Sequence, residues 1–281
     1  MSAPLKLYQS PSGLIAEGDG RCLLLPASFD LDRLFAAAEP ARALAEACLA
    51  GCAVAPPETV LAPIGRQEVW AAGVTYQRSR AARVAESADA GGGRFYDLVY
   101  EAARPELFFK ATPHRVAASG TTVCIRADAR WNVPEPELTL AINSAGQIFG
   151  YTIGNDMSSR DIEAENPLYL PQAKVYDRSA ALGPCLLVTD VPPEPATEIR
   201  IQIRRGGAVV FGGSTTLARM KRSLPELASY LFRSNSFPVG CYLMTGTGVV
   251  PPDEFTLQVD DAVEISIEPI GTLVNTVALA P

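Results

Sequence analysis

Apolar positions in this chain alternate over short stretches far more often than they recur at helical spacing. Leu5-Lys6-Leu7-Tyr8 and residues 21–25 read as two short strands around the turn Gly18-Asp19-Gly20. Further strand readings fall at 69–76, 107–109, 138–142, 147–154, 185–188, 198–203, 243–250, 255–259, 262–267 and 273–279, and 120–125 leads into the hairpin at 138–154. Helical spacing is confined to a few segments. Leu31, Leu34, Phe35, Ala38 and Leu44 give it to the Ala-rich stretch 30–49, and Leu224, Leu227 and Leu231 give it to 224–232. Residues 80–87 and 95–103 are weaker helical candidates. Many short strands with few helices predict an α+β fold dominated by β structure. Pro56-Pro57 marks a linker, so 1–62 is expected to form a small N-terminal α/β domain and 63–281 the main one.

Composition narrows the function. The chain has 281 residues, 48% of them hydrophobic, which supports a substantial core and argues against disorder. Net charge is −7 and no basic run is long enough to track phosphates, so no nucleic-acid partner is expected. The amino terminus MSAPLKLYQSPSG lacks an apolar signal run, and no stretch approaches a membrane span. A cytoplasmic protein with no membrane partner is the expectation. The six cysteines form no Cys-x-x-Cys pair, and Cys48 and Cys52, one helical turn apart, read as small packing residues. The single histidine, His114, excludes a histidine-rich zinc site. Beside a proline, it reads as a packing or surface residue.

The densest chemistry lies in WNVPEPELTLAINSAGQIFGYTIGNDMSSRD, residues 131–161. Residues 138–142 form a strand, Asn143-Ser144-Ala145-Gly146 a turn, and 147–154 the returning strand. If Ile142 pairs with Gln147, Glu137 lies opposite Thr152, Glu135 opposite Gly154, and Asp156 one rung beyond. The period of two then puts Glu135, Glu137 and Asp156 on one face at the open end of the hairpin. Converging carboxylates repel one another and resist desolvation unless their charge is cancelled. A divalent cation cancels it, and all-oxygen ligation favours Mg²⁺, with Mn²⁺ or Ca²⁺ as substitutes, over zinc. The competing reading is a solvated hairpin end, because a one-residue slip turns Asp156 to the other face. Downstream, Ser158 and Asp161 fit an S-x-x-D helix cap, and 166–176 reads as an irregular loop carrying Lys174. The glycine-rich 88–93 reads as a loop able to cover a site.

Glu-x-Glu followed by an Asp within NDxSSRD resembles the fumarylacetoacetate hydrolase family. The agreement continues through Gly73-x-x-Tyr76, Phe109-Lys110, Gly150-Tyr151-Thr152, Lys174-x-x-Asp177, Leu182-Gly183-Pro184, Thr245-Gly246-Thr247 and Gly271-x-Leu273-x-Asn275. The resemblance implies a β-roll of mixed sheets, Mg²⁺ or Ca²⁺ on Glu135, Glu137 and Asp156, and a homodimer or homotetramer. It places Lys174 beside the metal as a base or as proton donor to a leaving hydroxyl; pairing with Asp177 or Glu163 is the structural alternative. Arg160 and Glu163 match family positions near the site, as substrate contacts or as a mere i, i+3 pair. Glu106, ahead of a run of aromatics, is either a desolvated acid/base or structural. Lys110 ends the same strand and is grouped with the substrate contacts. Thr247 can bond a substrate carboxylate, and Tyr76 and Ser79 can line hydroxyl groups.

A metal chelated by the carboxylate and keto oxygen of a 2-keto acid acidifies the C3 proton. Either water cleaves a distal C–C bond, or a base takes the C3 proton and a C4 hydroxyl departs. The hydrolase branch is similar to G-x-N-Y-x-x-H-x-x-E, whose His and Glu activate water. Here Ser79 and Ala82 stand at those two places, which disfavours hydrolysis. GVTYQRSR, ARPELFFKAT and WNVPEPEL look closest to the family's 2-keto-3-deoxy-pentonate dehydratases, which form 2,5-dioxopentanoate. The alternatives are a C–C hydrolase of acylpyruvates or diketo acids, and a non-catalytic 2-keto acid binder.

Overall fold

The computed structural model describes residues 4–76 and 98–281. The readings on 80–87, on the 88–93 loop and on Ser79 and Ala82 lie outside the described residues. Of the 95–103 helix, residues 98–101 are described and helical.

The first strands are β1 (Leu5–Ser10), β2 (Gly13–Gly18), β3 (Arg21–Leu24), β4 (Cys52–Val54), β5 (Glu68–Gly73) and β6 (Glu106–Ala111). Then come β7 (Val116–Ala117), β8 (Thr121–Ile125), β9 (Asn132–Val133), β10 (Pro136–Ile142), β11 (Ile148–Asp156) and β12 (Ser158–Ser159). The last six are β13 (Ala180–Val188), β14 (Glu198–Arg205), β15 (Ala208–Thr216), β16 (Cys241–Met244), β17 (Ala262–Ile267) and β18 (Gly271–Leu279). The helices used below are α1 (Leu31–Ala36), α2 (Pro40–Leu49), α3 (Arg160–Glu165), α4 (Leu170–Lys174) and α5 (Leu224–Leu231).

The large sheet runs β4-β3-β2-β1-β13-β11-β10-β16-β5-β6, with β7 joined to β13. A second sheet runs β15-β14-β17-β18-β8, and β9 pairs with β12. Pairings are antiparallel except for β16–β5, β13–β7 and β18–β8, so both main sheets are mixed. The chain is therefore an α+β protein dominated by β structure, as its pattern predicts. Alternation divides β10: Leu138, Leu140 and Ile142 join Ile201, Ile265 and Leu273 of the second sheet in one core. Ala141 faces the opposite side, in a second core with Phe149, Tyr242, Met244 and the α1 residues Leu34 and Phe35. The Phe35 ring lies 4.8 Å from Phe149 and 5.0 Å from Tyr242. Residues 1–62 thus share a sheet, through Leu7 opposite Leu186, and a core with 63–281.

Several elements differ from the sequence reading. The single helix expected over 30–49 is two, because α1 ends at Ala36 and Pro40 opens α2 at its first turn, where a missing N–H costs nothing. Strands β2 and β15 escaped notice, and 255–259 is not a strand. The strand read over 243–250 ends at Met244, where Gly246 takes φ +92°. Residues 166–176 are not irregular: a 3-10 turn at Pro167–Tyr169 leads into α4. The S-x-x-D cap does not form. Ser159 precedes α3 without a side-chain cap bond, and Asp161 accepts from the Arg130 N–H instead. Cys52 is exposed on β4, whereas Cys48 is partly buried. His114 is exposed, with Nδ1 3.0 Å from the Thr112 hydroxyl. Among the described residues no helix is long and apolar enough to cross a membrane.

Candidate metal centre and active site

The β10–β11 hairpin pairs Glu137 with Gly154, Leu138 with Ile153 and Thr139 with Thr152. The expected register is therefore displaced by two residues. A bulge between Ala141 and Ile142 absorbs part of that displacement near the turn. A shift of two preserves the side-chain face, whereas a shift of one inverts it. Glu135, Glu137 and Asp156 accordingly remain on one face. Asp156 lies across from Glu135 rather than one rung beyond, its N–H donating to the Glu135 carbonyl at 3.0 Å. Glycine at 154 is required by packing: a Cβ there would come within 2.3 Å of Thr139 Oγ1 and 3.0 Å of Met244 Cε.

All three acids are buried, and one oxygen from each lies within 4.8 Å of the others. Glu137 sits worst. Burial, then the charges of Asp156 and Glu135, push its carboxyl well above the usual carboxylate range, although the Gly246 N–H donates to it at 2.5 Å. An anionic carboxylate held in such a place asks for a cation, and three convergent oxygens are the donor set of a hard dication. The residues present thus fit Mg²⁺, and the solvated hairpin-end reading fails on burial.

Basic side chains close around the acids. Lys174, last residue of α4, donates to Glu135 Oε2 at 2.8 Å, Asp156 Oδ2 at 3.1 Å and the Ser158 hydroxyl at 2.6 Å. Its Nζ stands 5.7 Å from the centre of the Phe108 ring. Arg160, opening α3, donates to Glu135 Oε1 at 2.8 Å. Lys110, from β6, pairs with Asp156 Oδ1 at 2.6 Å. Burial pushes its ammonium down from the usual lysine range, against the opposing pull of Asp156.

A narrow cavity opens over these groups, and Lys174, Arg160, Glu135, Asp156 and Thr247 line it. Thr247 is in place, but its hydroxyl donates to the Val249 carbonyl at 3.0 Å. Glu106 is folded over Gly73, a residue lining the cavity, where a Cβ would meet its Oε2 at 2.0 Å. Tyr76 is buried over Gly248, and burial together with the charge of Glu137 pushes its phenol up. Glu163 is buried one turn along α3 from Arg160. Ser79 lies outside the described residues.

Three features in or beside the cavity had no site role in the sequence reading. Val74 holds φ +52°, a left-handed conformation that costs a β-branched residue energy and marks functional sites. Thr75 donates to the Thr245 carbonyl at 2.7 Å, tying the segment after β5 to the Gly246 turn. Ser158, read as a cap, is instead a partner of Lys174. Only Ser158 left a signal, in its closeness to Asp156.

A family model described as fumarylacetoacetate (FAA) hydrolase C-terminal matches residues 69–278. The chain is 49% identical over 216 residues to a "Probable 2-keto-3-deoxyxylonate dehydratase" of Haloferax volcanii, covering 76% of this chain and 73% of that one. It is 44% identical over 217 residues to the 2-dehydro-3-deoxy-D-arabinonate dehydratase of Saccharolobus solfataricus, with the same two coverages of 76% and 73%. Among solved structures, a 2-keto-3-deoxy-D-arabinonate dehydratase complexed with magnesium and 2,5-dioxopentanoate superposes with a TM-score of 0.84 at 34% identity, over 99% of each chain. The apo form of a 2-keto-3-deoxy-D-arabinonate dehydratase gives 0.85 at 34% identity, over 99% of this chain and 100% of that one.

Proposed function

The chain belongs to the fumarylacetoacetate hydrolase family, and from that premise we propose that it is a Mg²⁺-dependent dehydratase of 2-keto-3-deoxy-D-pentonate. The observation that carries the reading is the placement of the Lys174 amine within hydrogen-bond reach of two members of a buried acid triad. The high identity to named dehydratases selects the reaction class. In the D series the arabinonate and xylonate names denote one compound, since the keto group at C2 and the missing hydroxyl at C3 leave only C4 stereogenic.

Glu135, Glu137 and Asp156 would hold the cation, with Mn²⁺ or Ca²⁺ as substitutes. When bound, it supplies Lewis-acid polarisation of the 2-keto acid, which acidifies C3. Lys174 takes the C3 proton, or hands a proton to the C4 hydroxyl, which leaves as water. The allylic alcohol left behind loses a proton from C5 and gains one at C3, giving the C4–C5 enol, which loses its hydroxyl proton and gains one at C4 to become the C5 aldehyde. Glu106, folded over Gly73, serves this second transfer as acid/base. Arg160 holds Glu135 and the substrate carboxylate side of the cavity. Thr247 and Tyr76 shape the pocket, with Ser79 and Glu163 as further substrate contacts.

The test is incubation of the purified protein with Mg²⁺ and D- or L-configured 2-keto-3-deoxy-pentonate, and separately with an acylpyruvate. Formation of 2,5-dioxopentanoate from the D substrate is expected; pyruvate release from the acylpyruvate would point to C–C hydrolysis instead. Metal binding without turnover on any 2-keto acid would leave only a binder. The reading also carries a cytoplasmic location and a homodimer or homotetramer, which light scattering on the eluted protein decides.

A further inference from the structure

Only four of the 281 residues are lysines: Lys6, Lys110, Lys174 and Lys221. Two of the four are fully buried, and both reach the acid triad. The reaction proposed above employs Lys174, while the place of Lys110 rests on sequence position alone. An ammonium offers three N–H donors and no acceptor. Lys110 donates to the Met157 carbonyl at 2.9 Å and the Lys174 carbonyl at 2.5 Å, and its ammonium forms an ion pair with Asp156 Oδ1 at 2.6 Å.

Lys174 has three acceptors of another kind. All are side-chain oxygens, two belong to the triad, and the residue lines the cavity. A cation on Glu135 and Asp156 would compete with Lys174 for those two. Both hydrogen-bond acceptors of Lys110 are main-chain carbonyls, one just past β11 and one at the end of α4. No cation at the triad takes them, and Lys110 is not among the residues lining the cavity.

The geometry points to Lys110 as a positioning residue that ties the Asp156 carboxylate to the backbone of Lys174. It fixes the separation between a metal ligand and the proton-transferring amine, and it does not touch substrate. This role rests on the dehydratase reading for what Lys174 does. A surrounding partner of this sort is worth about 10- to 100-fold in activity or metal affinity when removed.

Lys110→Met removes the donors and keeps the stem. With saturating Mg²⁺ and 2-keto-3-deoxy-D-arabinonate, kcat is expected to fall about 10- to 100-fold with KM held within about twofold. A raised KM at unchanged kcat would make Lys110 a substrate contact. Unchanged kcat and KM with a lowered Tm would make it a framework residue only. Either result overturns the role. A second measurement uses the unaltered protein with isotope-labelled lysine, which gives four side-chain ammonium signals; Lys6→Arg and Lys221→Arg identify the outer pair. In Mg²⁺, titration with pyruvate should shift the Lys174 signal and leave that of Lys110 in place and slow to exchange. An equal shift of both overturns the role. The titration needs no turnover, so a chain that fails to dehydrate leaves it readable, and the two failures are distinguishable.

Discussion

Glu137 sits in an electrostatic conflict. Two acids stand beside it, and its identified donor is one backbone N–H. Glu137→Ala removes one ligand oxygen and the repulsion together. The altered protein should keep its fold without Mg²⁺, because the group lost is one that burial disfavours as an anion. It should lose the stabilisation that a bound ion gives, which for the unaltered chain is about 2.7 kcal/mol at 100 times Kd. Turnover should fall by roughly a thousandfold or more, since a Lewis acid supplies several kcal/mol to such a transition state. Thermal melting with and without Mg²⁺ and a semialdehyde assay check both; a Mg²⁺-dependent rise in Tm surviving in Glu137→Ala would remove Glu137 from the site. At this scale the sequence was legible wherever spacing alone decided the face, as for Glu135, Glu137 and Asp156. It was silent on Val74, whose positive φ sits beside the bond from Thr75 to the Thr245 carbonyl, 170 residues away. Lys110 was legible as a residue near the site but not as a strut, since its main-chain acceptors exist only in the folded chain.

The hairpin β10–β11 sets the triad, and Gly154 sets the hairpin. Alanine at 154 would drive a methyl into Thr139 and Met244, all on fully buried backbone with little room to yield. The strands must part near Glu137, the residue paired with Gly154. Overpacking of this kind costs about 1–3 kcal/mol. Gly154→Ala is therefore expected to lower Tm by several degrees and also to weaken Mg²⁺ binding, although residue 154 carries no ligand. A melting curve and a metal titration on the same preparation check this; lower stability with unchanged metal affinity would show that the triad is insulated from strand spacing. The strands of this element were readable from alternation. Their register was not, because the bulge at Ala141/Ile142 leaves no mark in an apolar run, and the expected pairing was off by two. That error left the face intact, which explains why the site was found despite it. Prolines tell the same story in reverse: Pro40 splits one expected helix into two, a stop that helical spacing cannot register.

Pro56-Pro57 invites a division into two domains, and the packing across that boundary has consequences for unfolding. Strand β1 completes a ladder with β13, and Phe35 sits against Phe149 and Tyr242. Asp32 of α1 adds a latch, accepting from the Arg66 N–H at 2.8 Å, Arg66 Nε at 2.5 Å and Gln67 Nε2 at 2.9 Å. Unfolding of 1–62 alone would strip β1 from the sheet and open the second core, so both parts should melt in one transition. Trp70 and Trp131 report on 63–281 by fluorescence, and amide exchange in β1–β3 reports on 1–62. Phe35→Ala, costing about 3–5 kcal/mol, should shift both signals together. The latch adds a pH dependence whose sign is fixed. Burial raises the Asp32 carboxyl, but the bonds from Arg66 and Gln67 outweigh it, and the net displacement is below the ordinary 3.8. A carboxyl lowered in the folded chain stabilises above its unfolded value and loses that contribution as pH falls through its folded value. Asp32→Asn should accordingly cost about 1 kcal/mol near neutrality, since the latch is partly exposed, and less as the acid limb is approached. Stability measured against pH for both proteins gives converging curves at low pH. Parallel curves would remove the latch, and a separate early loss of β1–β3 protection would restore the two-domain division that the prolines suggest.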